Sequence, residues 1–247
     1  MCGIAGIFER DTDNTQLMSE MLATIEHRGP DDQSIYTYQD FTLGHRRLSI
    51  IDVSTCGNQP IFNEDKSVCV IFNGEIYNYE EIREELKSKG HVFYTATDTE
   101  VLVHLYEEYG TGFFNKLNGI FAFALYDEEK DEYLIARDPI GVIPLYIGKD
   151  SEGHIYFGSE LKALEGFCDE YEPFLPGHYY HSKEGKMKRW YTRDWMDYEK
   201  VAKENGTSPC RQIHDALEEA VHRQLMSDVP YGVLLSGGLH SSVISAI

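Results

Sequence analysis

The 247-residue chain exceeds one typical domain, so one large domain, or one domain plus part of a second, is the natural count. Its 42 acidic against 22 basic residues give a net charge of -20, and the Lys and Arg are scattered without a basic stripe, which argues against nucleic acid and anionic membrane as partners. The five cysteines (Cys2, Cys56, Cys69, Cys168, Cys210) are odd in number and far apart, so neither a disulfide framework nor a metal site is expected.

The chain opens on a short apolar strand, Met1-Cys2-Gly3-Ile4-Ala5-Gly6-Ile7-Phe8, too short and too quickly followed by charge to be a signal peptide or a membrane span. A reducing cytoplasm is the expected setting. If Met1 is removed, Cys2 carries an α-amine titrating at about 7.7 to 8.0 beside a thiol near 8.5. Base and nucleophile then sit on one residue, the minimum equipment for a hydrolase that forms a thioester.

Leu17, Met21, Leu22 and Ile25 recur at helical spacing and stop at His27-Arg28-Gly29-Pro30. Short strands are predicted at Ser34 to Tyr38, Phe41 to Leu43, Leu48 to Ile51 and Val68 to Phe72. Helices follow at Tyr79 to Lys89, closed by Gly90, and at Thr99 to Tyr109, closed by Gly110. From Gly119 strands return, through Tyr126, Glu132 to Ala136, Pro144 to Gly148 and His154 to Gly158. The nearly unbroken apolar run Ile120 to Tyr126 predicts a strand buried on both faces, as when one sheet packs on another under covering helices. Residues 2–191 therefore read as an α+β domain of two stacked antiparallel sheets. A polar linker, 192–209, separates it from residues 210–247, where an amphipathic helix precedes a predicted strand Val229 to Leu235. That strand runs into Ser236-Gly237-Gly238-Leu239-His240-Ser241-Ser242 and a helix start, which has the makings of a phosphate cradle.

Four polar clusters sit where strands end. Arg46-Arg47 offers guanidinium groups that can clamp a carboxylate. Asn73-Gly74-Glu75 places a side-chain amide beside a glycine N–H, a pairing suited to an oxyanion, although Asn-Gly is also an ordinary turn. Thr97-Asp98-Thr99-Glu100 suits a helix cap, an ammonium site, or both. Arg137-Asp138-Pro139-Ile140-Gly141 reads as a rigid turn. The remaining histidines, His27, His45 and His104 among them, need no catalytic role.

Together these strings, with Arg47-Leu48-Ser49-Ile50, Gln59-Pro60, Asn73-Gly74-Glu75-Ile76-Tyr77-Asn78, Gly119-Ile120-Phe121-Ala122-Phe123-Ala124 and Ser236-Gly237-Gly238, give a chain that resembles the N-terminal part of the glutamine-hydrolysing asparagine synthetases, class II glutamine amidotransferases. The resemblance implies the N-terminal nucleophile hydrolase fold, a four-layer αββα sandwich, followed by the beginning of an α/β ATP-pyrophosphatase-like synthetase domain at 210–247. It implies Cys2 as nucleophile, with Asn73 and Gly74 holding the oxyanion. Arg47 would bind the α-carboxylate of glutamine, and Glu75 and Asp98 its ammonium group. No cofactor is implied for glutamine hydrolysis. ATP, Mg²⁺ and aspartate are implied for a complete synthetase, with Leu235, Ser236, Gly237, Gly238, Ser241 and Ser242 as the fragmentary nucleotide loop, and a homodimer is compatible with the class. His240 departs from the aspartate of the family's loop, and imidazole is a poor Mg²⁺ ligand. Two other readings stay open: a glutaminase serving a different acceptor, and a silent glutamine-binding scaffold if Met1 is retained.

Overall fold

A computed structural model describes residues 1–197, 199 and 209–247. It divides into two compact units, Met1–Tyr191 and Thr192–Ile247. The segment expected as linker, 192–209, lies largely outside the described residues.

The first unit contains two six-stranded sheets whose neighbouring strands all pair antiparallel. Sheet one runs in the order β10 (Glu170–Pro173), β8 (Tyr146–Lys149), β9 (Ile155–Gly158), β1 (Gly3–Phe8), β3 (Phe41–Arg47), β2 (Asp32–Tyr38). Sheet two runs β12 (Lys186–Arg189), β11 (His178–His181), β7 (Glu132–Arg137), β6 (Gly119–Asp127), β5 (Val68–Ile76), β4 (Ile61–Phe62). Helix α1 (Thr15–Thr24) covers sheet one; α2 (Tyr79–Ser88) and α3 (Val101–Tyr109) cover sheet two.

Period-two alternation assigns each face its core. In β6, Phe121, Phe123 and Leu125 pack beneath α2 and α3, while Ala122, Ala124 and Tyr126 face the space between the sheets. In β1, Ile4 and Phe8 face that same space and Ala5 and Ile7 lie under α1. Three apolar layers thus separate four layers of secondary structure, and each fully buried Phe or Ile among them contributes roughly 1.5–3 kcal/mol.

Several boundaries differ from those read off the sequence. No strand forms at Leu48 to Ile51; β3 instead continues to Arg47. Both its neighbours end there, because Gly3 of β1 faces Arg46 and Asp32 of β2 faces Arg47. β5 does not stop at Phe72 but runs to Ile76, since β6 supplies partners as far as Gly119. Asn73-Gly74 is therefore strand and not turn. Strands β4, β10, β11 and β12 were not expected, each being four residues or shorter; β10 is exposed throughout.

The turn Arg137 to Gly141 is a structural staple. Wholly buried Asp138 accepts backbone N–H groups from Gly141 (2.7 Å), Val142 (3.0 Å) and Ile143 (2.9 Å). Arg137 donates to the carbonyls of Ile143 (2.7 Å), Phe174 (2.6 Å) and Gly141 (2.9 Å).

In the second unit, α4 (Pro209–Arg223) and α5 (Leu239–Ala246) form, but Val229 to Leu235 is not a strand. It has no paired strand among the described residues, and Leu234 and Leu235 are exposed. A strand needs a neighbour to satisfy its backbone.

Asp138→Ala strands the buried Ile143 N–H and removes the acceptor of the partly buried Gly141 and Val142 N–H groups, so equilibrium urea unfolding should show a loss of about 2 kcal/mol or more.

Candidate active site

Gly3 pairs with Arg46, so Cys2, one residue earlier, falls beside the end of β3. There its Sγ lies 3.4 Å from the Leu48 N–H and 3.6 Å from the Leu48 carbonyl. Arg28 grips the other side of the residue, Nε donating to the Cys2 carbonyl at 2.8 Å while Nη1 meets Glu160 at 3.0 Å. Burial pushes the Glu160 carboxyl up, but hydrogen bonds from Arg28, Lys162 and His27 outweigh it and hold the group at about 2. The turn can approach this closely because Gly29 has no side chain; a Cβ there would lie 2.3 Å from the Arg46 backbone.

Cys2, Arg47, Gly74, Glu75 and Asp98 all line one cleft of about 40 Å³ that opens to solvent, together with Leu48, Gln59, Thr97 and Thr99. Each arrives from a different place: Cys2 from the start of β1, Arg47 from the end of β3, Gly74 and Glu75 from β5, Asp98 from the loop before α3. Asn73 does not line the cleft. It is wholly buried one residue along β5, and neither its amide nitrogen nor its amide oxygen has a hydrogen-bond partner among the described residues. An orphaned buried polar group costs roughly 1–3 kcal/mol, so this side chain is held ready at the expense of stability.

Gly74 has φ of 154°, and a Cβ would lie 2.1 Å from the Ile120 carbonyl oxygen, so only glycine fits. The Phe72 N–H, two residues earlier, is fixed by the Gln59 side-chain oxygen at 2.5 Å.

Arg47 is nearly buried and braces the 52–58 loop: Nη1 donates to the Ser54 carbonyl (2.7 Å) and to Asn58 Oδ1 (2.5 Å), and Nη2 donates to the Asp52 carbonyl. Three of its five N–H donors are used among the described residues. The two that remain, one on Nε and one on Nη2, are available to an acceptor such as a carboxylate.

The charges are tuned by burial. Desolvation raises the Cys2 thiol, opposed by the Leu48 N–H, the terminal ammonium and Arg47. It lowers the Met1 ammonium. It raises both Glu75 and Asp98, and Asp98 pushes Glu75 higher by like-charge repulsion, while Asp98 is partly compensated by accepting the Ile76 N–H at 2.8 Å. Two acids crowded together in a desolvated cleft favour a cationic ligand group. His45 beneath is buried, and desolvation takes it down to about 3, which leaves it neutral. The cap expected from Thr97 to Glu100 does not form. No side chain caps α3, because Glu100 turns back to accept the N–H groups of Tyr94 and Thr95, both at 2.7 Å.

Leu48 and Gln59 are the site residues that the sequence reading did not assign. The Leu48 contacts use only backbone, which has no sequence signature. Gln59, in the Gln59-Pro60 string, carries no titratable or nucleophilic group to mark it. The proposed nucleotide loop lies in the second unit, by itself. Ser241 and Ser242 hydroxyls donate to the Gly238 carbonyl (3.1 and 2.8 Å), Gly237 has φ of 80°, and Leu235 and His240 are exposed.

Solved structures of the same architecture include the glutamine phosphoribosylpyrophosphate amidotransferase of B. subtilis (23% identity, TM-score 0.65, 78% of this chain and 50% of that one). A structure described as the allosteric regulatory enzyme of purine biosynthesis superposes equally well (24% identity, TM-score 0.65, the same coverages). At these identities the likeness defines the fold, that of the N-terminal nucleophile hydrolases. The glutamine amidotransferase domain family matches residues 1–190, and the chain belongs to it. The asparagine synthase family matches residues 212–247. Over its whole length the chain is 48% identical to asparagine synthetase B [glutamine-hydrolyzing] of Escherichia coli (strain K12) and 46% identical to asparagine synthetase [glutamine-hydrolyzing] 2 of Arabidopsis thaliana. It spans 44% and 42% of those two proteins. Among the described residues no helix is long and apolar enough to cross a membrane.

Because the folded state holds protons on Glu75 and Asp98 that the unfolded chain has released, stability should fall as pH rises through and above the ordinary carboxylate range. Glu75→Gln should remove part of that fall. Denaturant melts at a series of pH values should show the variant gaining on the parent toward alkaline pH, with the two converging near pH 4.

Proposed function

We propose that this chain hydrolyses the side-chain amide of glutamine and supplies the ammonia to ATP-dependent synthesis of asparagine from aspartate in the cytoplasm, the second step needing more of a synthetase domain than residues 212–247. The observation that carries the reading is the convergence of Cys2, Arg47, Gly74, Glu75 and Asp98 on one cleft with the unpaired amide of Asn73 behind it.

The chemistry follows from the charges. Burial keeps the Cys2 thiol protonated at neutral pH, so it needs a base, and with Met1 attached its own nitrogen is an amide. Removal of Met1 exposes an α-amine on the same residue, able to take the thiol proton. The thiolate attacks the amide carbon, and negative charge develops on the carbonyl oxygen. The Gly74 N–H and the Asn73 amide N–H are the donors assigned to it. The proton passes to the leaving nitrogen, ammonia departs, and water releases glutamate from the thioester. The two free donors of Arg47 take the α-carboxylate, and Glu75 and Asp98 take the ammonium group, which matches a zwitterion charge for charge. In the full synthetase, Ser236, Gly237, Gly238, Ser241 and Ser242, following Leu235, would hold the phosphates of ATP with Mg²⁺. These loop residues are small, the three serines bear hydroxyls, and they lie near the N-terminus of α5, which suits an anion. His240 adds no oxygen ligand for the metal.

Ammonia release from glutamine by the purified chain, with intact mass to confirm loss of Met1, tests the proposal. Cys2→Ala should abolish release; survival of activity would reject the nucleophile. Asn73→Ala should lower kcat by roughly 10²–10³ with little change in glutamine affinity, because the oxyanion exists only along the reaction. Arg47→Lys should keep the charge yet weaken binding about tenfold or more, since the paired donors are lost. Glutamine affinity should rise with pH as Glu75 and Asp98 ionise, until the substrate amine loses its own proton. A flat profile in titrations between pH 5 and 8 would remove the two acids from the ammonium site.

A further inference from the structure

Outside the cleft, one cluster of side chains has no part in glutamine chemistry. Glu64 lies in the turn after β4, His91 follows α2, and His104 and Glu107 stand three residues apart on one face of α3. One ligand-capable atom from each residue lies within 4.8 Å of all the others. The Nδ1 atoms of both imidazoles face both carboxylates. His91 Nδ1 is 3.4 Å from Glu64 and 3.8 Å from Glu107; His104 Nδ1 is 3.4 Å from Glu64 and 3.2 Å from Glu107. With metal–ligand bonds of about 2.0–2.1 Å, a tetrahedron has edges of roughly 3.3–3.4 Å. Three of the four nitrogen–oxygen separations, 3.2 to 3.4 Å, are close to that length and the fourth is 3.8 Å; Glu64 faces His91 with Oε1 and His104 with Oε2.

We propose that Glu64, His91, His104 and Glu107 form a zinc site that ties the β4 turn, the segment after α2 and helix α3 together. Two imidazoles and two carboxylates suit Zn²⁺; Mg²⁺ and Ca²⁺ prefer all-oxygen shells, and no thiolate is present to select a softer ion. The outer ring is in place for one imidazole: His91 Nε2 meets Glu108 at 3.1 Å, whereas His104 Nε2 lies 3.8 Å from Glu100 and has no hydrogen-bond partner among the described residues. Glu107 is oriented by Asn63, whose amide donates to its other oxygen at 2.8 Å, and Glu64 by the Val92 N–H at 2.8 Å. Four carboxylates thus surround two imidazoles with Lys89 pairing Glu108 at 2.8 Å, an excess of negative charge that a divalent cation offsets. His104 is fully buried while Glu64 and Glu107 reach the surface, which leaves an entry for the ion. The site is closed by four protein ligands, so its role is structural. It brackets in sequence the loop that carries Asp98.

The full chain, stripped with a chelator, should bind one equivalent of Zn²⁺ in calorimetric titration. At a hundredfold excess over Kd its Tm should rise by roughly 5 to 10 °C. Co²⁺ should give the visible bands of a four-coordinate ion without the near-ultraviolet band of cobalt–thiolate bonding. His104 is buried and its loss risks the fold, so His91→Gln and Glu107→Gln, both nearer the surface, are the variants of choice, with circular dichroism to confirm folding. Each should weaken Zn²⁺ binding at least tenfold. Absence of saturable binding, binding that both variants leave unchanged, or a thiolate band that disappears on cysteine alkylation would overturn the site.

Discussion

The register of β1 is the constraint on which the cleft depends. All six residues of that strand are buried, with β3 on one side and β9 on the other, so a slip by one residue would carry Ile4 and Phe8 out of the inter-sheet core. Burial therefore sets the register, and the register sets where Cys2 lies. Because Gly3 faces Arg46, the residue before Gly3 meets the point where β3 leaves the sheet, at Arg47 and Leu48. A thiol and a guanidinium 45 positions apart in sequence become neighbours through the packing of Ile4 and Phe8, whose side chains are purely apolar.

The second requirement is electrostatic. β5 brings Glu75 to the cleft on a strand whose pairing with β6 leaves no freedom to move it, and the Ile76 N–H fixes Asp98 next to it. Both acids are desolvated and repel each other, and Asn73 nearby is buried with an unsatisfied amide. The rest of the domain supports this local cost: three apolar layers, the Asp138 staple, and the Arg28–Glu160 pair that secures the N-terminal residue. Binding of a zwitterion would relieve the repulsion, so part of the instability of the free cleft reappears as affinity.

Much of this was legible in the chain itself. The two-sided burial of β6, the helices on sheet two and the clustering of polar residues at strand ends are direct consequences of periodicity and residue type. Chemistry marks Cys2, the Arg46-Arg47 pair, Asn73-Gly74-Glu75 and the Thr97 to Glu100 cluster, while Arg47, Glu75 and Asp98 are singled out within them by the resemblance to the asparagine synthetases. What stayed hidden has physical causes. Leu48 acts through backbone atoms, which every residue has. Strands β10 and β12 are short and largely exposed, so no apolar alternation marks them. The ends of β3 and β5 were misplaced because a strand ends where its partners end, and partners are a property of the fold. Glu64, His91, His104 and Glu107 come from three separated segments, and only His104 and Glu107 share a local spacing; the sequence alone assigned His104 no role.

The setting of the five thiols has a practical consequence for inhibition studies. Burial raises Cys69 and Cys168 to about 12, and the Cys2 sulfur lies against the Leu48 backbone with its proton retained, whereas Cys56 and Cys210 stand exposed. Alkylating reagents attack the thiolate and need access, so they should label Cys56 and Cys210 first. Cys56 belongs to the loop that Arg47 braces, and a bulky adduct there can displace that arginine without touching Cys2. Loss of activity on thiol modification thus reports on Cys2 only in a chain where Cys56 has first been replaced.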